Sequence, residues 1–230
     1  MSAMQDRVLA VREQVERAAE RGGRNPRDIQ IVAVSKTHPP QLIREACTAG
    51  LRVFGENRVQ EAETKIAELR DLELEWHLVG HLQTNKVKKA VQLFHMIHST
   101  DSPKLIAELE REAVKACRSV DVLLQLNLSG EATKSGGREE DLEILIAALR
   151  DAPHVRSRGL MTIPPFEEDP ERTRPYFRRL REIGEQYRER LLAPGVKLEL
   201  SMGMSHDFAV AIEEGATLVR IGTALFGSRV

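Results

Sequence analysis

A lysine stands at the end of a buried strand in the segment IVAVSKTHPP, residues 31–40. Four apolar residues precede Ser35 and Lys36, and two prolines follow shortly after, which predicts that the strand ends at the lysine. Most lysines in such a place are solvated, with the stem along apolar surface and the ammonium in water. The alternative is chemical, because a neutral lysine amine can form a Schiff base with a carbonyl compound.

Two later segments have the residue types of an anion site. SMGMSHDF contains Ser201, and RIGTALFG begins with Arg220 and contains Gly222 and Thr223. Small residues let backbone N–H groups approach an anion, hydroxyls add donors, and helix N-termini favour negative charge. These segments predict a phosphate site.

A reactive lysine beside a phosphate site indicates a phosphorylated carbonyl compound as the ligand. An imine requires a neutral amine, so the ordinary lysine pKa of about 10.4 must be lowered by desolvation or by a nearby cation. Arg220 is the candidate cation. Two ligands fit this chemistry equally well: the aldehyde of pyridoxal phosphate, and a sugar phosphate in a lysine-dependent aldolase.

The elements that must position these residues alternate along the chain. An amphipathic helix through Met4, Val8 and Val15 comes first, and eight apolar strands follow, each but the last plainly followed by a helix. Parallel strands joined by helical crossovers are compatible with two architectures, an open doubly wound sheet and a closed (β/α)8 barrel. Eight strand–helix units in a chain of 230 residues favour the barrel. We therefore predict a single barrel domain over residues 1–230, with an extra N-terminal helix.

In such a barrel the carboxyl ends of the strands meet at one face, and the loops after strands 7 and 8 frequently hold phosphate. This places Lys36, Arg220 and the two small-residue segments around one mouth. Lys134 lies in the loop SGEATKSGG after strand 5 and is a candidate secondary site on the same face.

The composition restricts the partners. The chain of 230 residues has a net charge of −1 and no segment with the roughly 18 apolar residues of a membrane span. We therefore expect a cytoplasmic protein with a small-molecule partner and with neither nucleic acid nor membrane bound. Cys47 and Cys117 fall in helical segments and read as structural thiols.

Seven histidines raise the question of a metal, with His77 and His81 four apart and His95 and His98 three apart. On a strand, residues four apart are roughly 13 Å apart and residues three apart point to opposite faces, so neither pair suits shared coordination. We predict no metal site.

Seven segments together resemble the pyridoxal phosphate homeostasis protein family: VAVSKTHPP, FGENRVQEA, WHLVGHLQTNKVK, IHSTDS, LNLSGEATKSG, GLMTIPP and LSMGMSHDFAVAIEEGATLVRIGTALFG. They cover nearly the whole chain in the expected order. The resemblance implies a fold-type III barrel in which Lys36 holds pyridoxal phosphate as an internal aldimine. It further implies that Ser201, Gly222 and Thr223 hold the phosphate, that Arg220 faces the pyridine nitrogen, and that Asn57 and His81 belong to the pocket wall.

Two observations bear on catalysis. Arginine only donates hydrogen bonds, so beside the pyridine nitrogen it weakens the electron sink that carbanion chemistry uses. Racemases that this barrel resembles take a second base, a tyrosine, from an additional β domain, whereas Tyr176 and Tyr187 here lie on a long surface helix as packing residues. The residues and the resemblance thus indicate a carrier of vitamin B6 without turnover, most simply a monomer that supplies apoenzymes. The alternatives are a racemase-like enzyme and a lysine-dependent aldolase that acts on a sugar phosphate.

Overall fold

The computed structural model describes residues 2–131 and 135–227, in which eight parallel strands close into a barrel in the order of the sequence. β8 pairs with β1 in parallel, with Gln30 opposite Leu218 and Ala33 opposite Ile221, so the sheet is closed rather than open. The predicted (β/α)8 barrel is confirmed. The strands are Gln30–Val34 (β1), Val53–Glu56 (β2), Glu75–Leu78 (β3), Met96–Thr100 (β4), Val120–Leu126 (β5), Val155–Thr162 (β6), Glu199–Met204 (β7) and Leu218–Ile221 (β8).

Helices surround this barrel. They are Ala3–Arg21 (α1), Pro40–Thr48 (α2), Val59–Glu68 (α3), Val87–Leu93 (α4), Pro103–Lys115 (α5), Leu142–Arg150 (α6), Arg174–Gln186 (α7), Arg188–Leu191 (α8), Phe208–Glu213 (α9) and Thr223–Phe226 (α10). Two details differ from the sequence prediction. The long helix ends at Gln186, with Tyr187 as its C-cap before the short α8. A short helix, α10, also follows the last strand.

The extra helix α1 is the predicted N-terminal addition to the barrel. Ser2 and Gln5 form a capping box at its start, which satisfies two of the orphan N–H groups there. Met4, Val8 and Val11 are buried on one face, as their spacing requires.

Side-chain contacts fix this helix against the last part of the barrel. Arg7 donates to the Leu225 carbonyl at 3.2 Å, and Arg24, just beyond the helix, donates to the Ile212 and Ala216 carbonyls at 2.8 and 2.6 Å. The helix therefore supports the segments that follow β7 and β8.

Two apolar layers follow from the alternation of side chains along each strand. The larger layer packs between strands and helices and includes Phe54 and Trp76, whose rings lie 5.8 Å apart. The smaller layer is the barrel interior, formed by Val32, Val34, Val53, Val79, Met96, Leu123, Met161 and Leu218. Residues two positions from these apolar ones share the interior face, which places the buried polar residues His77, His98 and Arg220 inside the barrel.

Among residues 2–131 and 135–227, no helix combines the length and apolar character needed to cross a membrane. Lys134, the candidate secondary site, lies outside the described residues.

Candidate functional site

A pocket of about 270 Å³ opens at the carboxyl ends of the strands. Of the predicted site residues, it brings together Lys36, Asn57, Arg220, Gly222 and Thr223. The remaining lining residues are Val34, Val79, Ile163, Met204, Ser205 and His206. A wider groove of about 700 Å³ is lined by residues of the segment just before β7. Lys197, one of its charged side chains, forms an exposed ion pair with Asp28, so this groove is not a candidate ligand site.

Lys36 reaches the pocket because it lies two residues after Val34, which faces the barrel interior. The next residue, Thr37, has a positive φ of 67°, a conformation that costs a β-branched residue energy. The backbone N–H of Thr37 donates to Glu61 Oε1 at 2.5 Å, and its hydroxyl donates to the Lys36 carbonyl at 2.6 Å. These bonds hold the turn that ends β1 and so fix the backbone that carries the lysine.

A second lysine, Lys65, is buried and supports the same turn from the side of the helices. Lys65 Nζ donates to the Ser35 carbonyl, to Glu56 Oε1 and to Glu61 Oε1, each at 2.7 Å, which engages all three of its donors. Ser35 Oγ donates to Glu56 Oε1 at 2.7 Å. Desolvation raises the pKa of Glu56 against the opposing effect of these two donors. Lys65 thus has a structural role, whereas Lys36 is the lysine that lines the pocket.

Two backbone amides converge on one oxygen at the other side of the pocket. The N–H groups of Gly222 and Ala224 donate to Ser205 Oγ at 3.2 and 3.3 Å. The amides belong to the turn from β8 into α10, and Ser205 follows β7 directly. A single polar oxygen held by two amides marks a position that suits an oxygen of a bound anion.

Arg220 brings a cation to the base of the pocket. It is 4% exposed, and its Nη1 and Nη2 donate to Ser201 Oγ at 2.6 Å and to the Thr162 carbonyl at 2.9 Å. Desolvation lowers the pKa of Arg220 to about 10, and the nearby Asp207 opposes this effect. The guanidinium therefore remains charged at neutral pH and can only donate.

Ser201 does not line the pocket. Its side chain is fully buried in the barrel interior, where the hydroxyl contacts Arg220 and lies 2.9 Å from His98 Nδ1. Ser205, four positions later and directly after β7, lines the pocket instead, and its Oγ is the oxygen on which the two amides converge. The sequence offered a signal for this residue, because Ser205 stands in the same SMGMS motif and opens the segment SHDFAVAIEEG that predicts the following helix, which in the structure begins at Phe208.

The two predicted wall residues differ in position. Asn57 lines the pocket, and its backbone packs so closely against Gly80 that a Cβ added there would lie 2.4 Å from the Asn57 carbonyl oxygen. His81 instead lines a neighbouring groove of about 580 Å³ with Arg58 and Lys86, and its side chain is 54% exposed. Asn57 borders both cavities.

The sequence reasoning also missed His206 at the pocket rim. Its Nε2 lies 3.0 and 3.1 Å from the carbonyls of Glu167 and Glu168, so Nε2 carries the proton and donates to them. The imidazole packs at 5.3 Å from the ring of Phe166, which is 78% exposed.

Comparison with known proteins identifies the family of folds to which this barrel belongs. The alanine racemase N-terminal domain family matches residues 8–230. Alanine racemase from Corynebacterium glutamicum has the same fold, with a TM-score of 0.67 and 18% identity over 96% of this chain and 61% of that chain. The protein is thus a barrel of the alanine racemase N-terminal type.

More similar relatives narrow the class to one family. The chain is 49% identical to the pyridoxal phosphate homeostasis protein of Aquifex aeolicus over 97% of each chain. It is 39% identical to the protein of that name from Escherichia coli K12, over 100% of this chain and 98% of the relative. The structure of PipY of Synechococcus elongatus with pyridoxal phosphate bound has a TM-score of 0.85 and 42% identity, over 97% of this chain and 100% of that chain. The chain belongs to the pyridoxal phosphate homeostasis protein family.

Proposed function

We propose that this protein binds pyridoxal phosphate through Lys36 and serves vitamin B6 homeostasis in the cytoplasm without turning over an amino acid. The observation that carries the proposal is the pocket itself, in which Lys36, Arg220 and Ser205 surround one small cavity, with Ser205 Oγ accepting from two backbone amides. The relatives named above support the choice of pyridoxal phosphate over a sugar phosphate.

The residues present fit the cofactor. The Ser205 hydroxyl, whose oxygen accepts from the amides of Gly222 and Ala224, would donate to the phosphate together with the Thr223 hydroxyl at this side of the pocket. Arg220 would face the pyridine nitrogen, and Lys36 would provide the covalent anchor. Asn57 would form the wall, with His81 outside it beside the neighbouring groove. Ser201 would support Arg220 by accepting its hydrogen bond inside the barrel, and would not contact the phosphate.

When bound, the cofactor supplies an aldehyde that condenses with amines and a ring that withdraws electrons. Arg220 opposes the second property because a charged donor beside the ring nitrogen keeps that nitrogen unprotonated. Within the pocket lining that the structure describes, tyrosine, cysteine and carboxylate side chains are absent. His206 is tied to two carbonyls by its Nε2 proton. The described lining therefore lacks the tyrosine that racemases of this fold use as second base, which favours a carrier over a racemase.

The test of the covalent anchor compares three proteins after incubation with pyridoxal phosphate. They are the parent, the variant Lys36→Ala, and the matched control Lys86→Ala, whose lysine borders the neighbouring groove. We expect a visible absorption band of lysine-linked cofactor in the parent and the control, and its loss in Lys36→Ala. After borohydride reduction, the added mass should be on the peptide that contains Lys36. The absence of the band in the parent would overturn the proposal.

The test of turnover incubates the loaded protein with L-alanine and D-alanine and follows both enantiomers by chiral chromatography. We expect no conversion that depends on Lys36. Conversion at enzyme-like rates, lost in Lys36→Ala, would replace the carrier with the racemase-like alternative. We further propose that the protein supplies apoenzymes directly, which is tested by measuring cofactor transfer to an apoenzyme at increasing protein concentration. We also propose that it is a monomer, which is tested by sedimentation.

A further inference from the structure

A chain of hydrogen bonds runs through the barrel interior from the pocket toward its opposite end. Arg220 Nη1 donates to Ser201 Oγ at 2.6 Å, and Ser201 Oγ lies 2.9 Å from His98 Nδ1. His98 Nε2 lies 3.0 Å from His77 Nδ1, and His77 Nε2 lies 2.9 Å from Glu75 Oε1. Four consecutive contacts thus join the pocket arginine to a carboxylate on the first residue of β3. We refer to these five residues as the interior relay.

With both imidazoles neutral, the carboxylate end fixes the direction of every bond in the relay. Glu75 only accepts, so a neutral His77 carries its hydrogen on Nε2 and donates to Glu75, which leaves Nδ1 as an acceptor. His98 then donates from Nε2 to His77 Nδ1 and accepts at its own Nδ1 from the Ser201 hydroxyl. Ser201 Oγ accepts from Arg220, which has donors alone. One pair of neutral tautomers thus satisfies all four contacts.

The surroundings reinforce this arrangement. His98 and Ser201 are fully buried, His77 is 1% exposed, and the side chain of Glu75 is 48% exposed. Burial, the neighbouring His77 and the charge of Arg220 all lower the pKa of His98 well below its ordinary value. In a low-dielectric interior, aligned hydrogen bonds polarise one another, and a buried polar group without a partner is costly. With both imidazoles neutral, the relay has one polarity from Arg220 to Glu75.

We propose that Ser201, His98, His77 and Glu75 are positioning residues for Arg220, aligning its guanidinium toward the pocket through a hydrogen-bonded relay of one polarity that ends on the Glu75 carboxylate. The inference rests on the proposed function in one respect, namely that Arg220 faces the bound cofactor. It adds the residues that hold the arginine there. Asp207 is the other charged group that acts on Arg220, but it approaches from the segment after β7 and is not part of the chain.

The first experiment reads the relay in the protein without cofactor. Long-range proton–nitrogen NMR on nitrogen-15-labelled protein distinguishes the two neutral imidazole tautomers and the charged form. We expect His77 and His98 both to be neutral with hydrogen on Nε2 at neutral pH. A charged imidazole, or hydrogen on Nδ1 of His98, would overturn the relay.

The second experiment tests coupling along the chain with a change at its exposed end. Glu75→Gln removes the charge but keeps an acceptor, and Glu73→Gln changes a neighbouring exposed carboxylate outside the relay. We expect Glu75→Gln to move the Nε2 proton resonances of both His77 and His98, and Glu73→Gln to move neither. A shift confined to His77 would overturn the coupling.

The third experiment connects the relay to the pocket. Ser201→Ala deprives Arg220 of a buried acceptor, whereas Ser99→Ala removes an equally buried hydroxyl that donates to the Gly80 carbonyl. We expect Ser201→Ala to weaken pyridoxal phosphate binding about tenfold, as the loss of one hydrogen bond to a charged group requires. It should also shift the absorption band of the bound cofactor. Ser99→Ala should leave the band in place, and equal effects of the two variants would overturn the positioning role.

The outcomes for the two proposals are separable. If the parent shows the expected tautomers but binds no pyridoxal phosphate, the proposed function fails and the hydrogen-bonded relay stands. If the parent binds the cofactor through Lys36 while His98 carries its hydrogen on Nδ1, the relay fails and the proposed function stands.

Discussion

Lys65 Nζ lies 2.7 Å from Glu56 Oε1 in the layer behind β1, with the two side chains 6% and 0% exposed. The same ammonium holds the Ser35 carbonyl, one residue before the pocket lysine. A buried ion pair thus fixes the end of the strand on which the proposed chemistry depends.

Breaking this pair from one side should be costly. Lys65→Met leaves the Glu56 carboxylate buried without its cation, so we expect the free energy of unfolding to fall by about 3–5 kcal/mol in urea denaturation. Lys89→Met removes one side of an exposed pair with Glu63, whose side chains are 50% and 45% exposed, and should cost no more than about 1 kcal/mol. Similar losses in both variants would show that burial of the Lys65 pair has no energetic consequence.

Acid should weaken the contact between α7 and the end of α9. Burial raises the pKa of Glu214, but hydrogen bonds from Arg178 and Arg174, at 2.9 and 3.1 Å, outweigh it, so the net folded pKa is lowered. A lowered folded pKa stabilises the fold above the unfolded value of about 4.3, and this contribution is lost as the pH falls through the folded pKa.

The variant Glu214→Gln isolates this contribution. We expect it to lower the free energy of unfolding by about 1 kcal/mol near pH 7. The difference from the parent should shrink as the pH falls below about 4, because the parent carboxylate then also becomes neutral. Denaturation curves for both proteins across pH check this, and a difference that grows in acid would contradict it.

Gly203 lies one residue before the end of β7, and it should not accept a side chain. Its φ is +87°, and an added Cβ would lie 2.5 Å from Ala211 Cβ and 2.9 Å from Phe208 Cα. We expect Gly203→Ala to destabilise the fold by about 2–4 kcal/mol, through backbone strain and overpacking together. Gly195→Ala is the matched control, because its φ is +78° with no atom within 4 Å of the added Cβ, so only strain of about 1 kcal/mol applies. Thermal unfolding of both variants separates the two contributions.

The anion position at Ser205 should discriminate between phosphorylated and unphosphorylated ligands. Ser205→Ala removes a hydroxyl from the position where the Gly222 and Ala224 amides converge. We expect about tenfold weaker binding of pyridoxal phosphate and unchanged binding of pyridoxal, since only the first carries the phosphate. Equilibrium titration with both ligands measures this. Equal weakening for both would show that Ser205 acts on the ring or the fold instead.

The order of the elements and the place of Lys36 follow from the sequence alone. Apolar runs that alternate with amphipathic helices define parallel strands, and a run that stops at Ser35 places the next residue, Lys36, at the barrel mouth. These inferences succeed because strand and helix periodicity are local properties, and parallel strands end at a common face. The same reasoning placed Arg220, Gly222 and Thr223 at the end of β8, where the structure has them in the pocket lining.

Contacts between distant segments required the tertiary structure. The register shift between Ser201 and Met204, where Gly203 has a positive φ, and the turn that begins at Ser205 separate the two serines, so that Ser205 lines the pocket and Ser201 does not. His77 and His98 are 21 positions apart in the sequence, but the pairing of β3 with β4 brings His77 Nδ1 to 3.0 Å from His98 Nε2. Closure of the barrel then places His98 against Ser201, 103 positions later. Local patterns determine which element a residue occupies and which way it faces, whereas register and closure determine which side chain it meets.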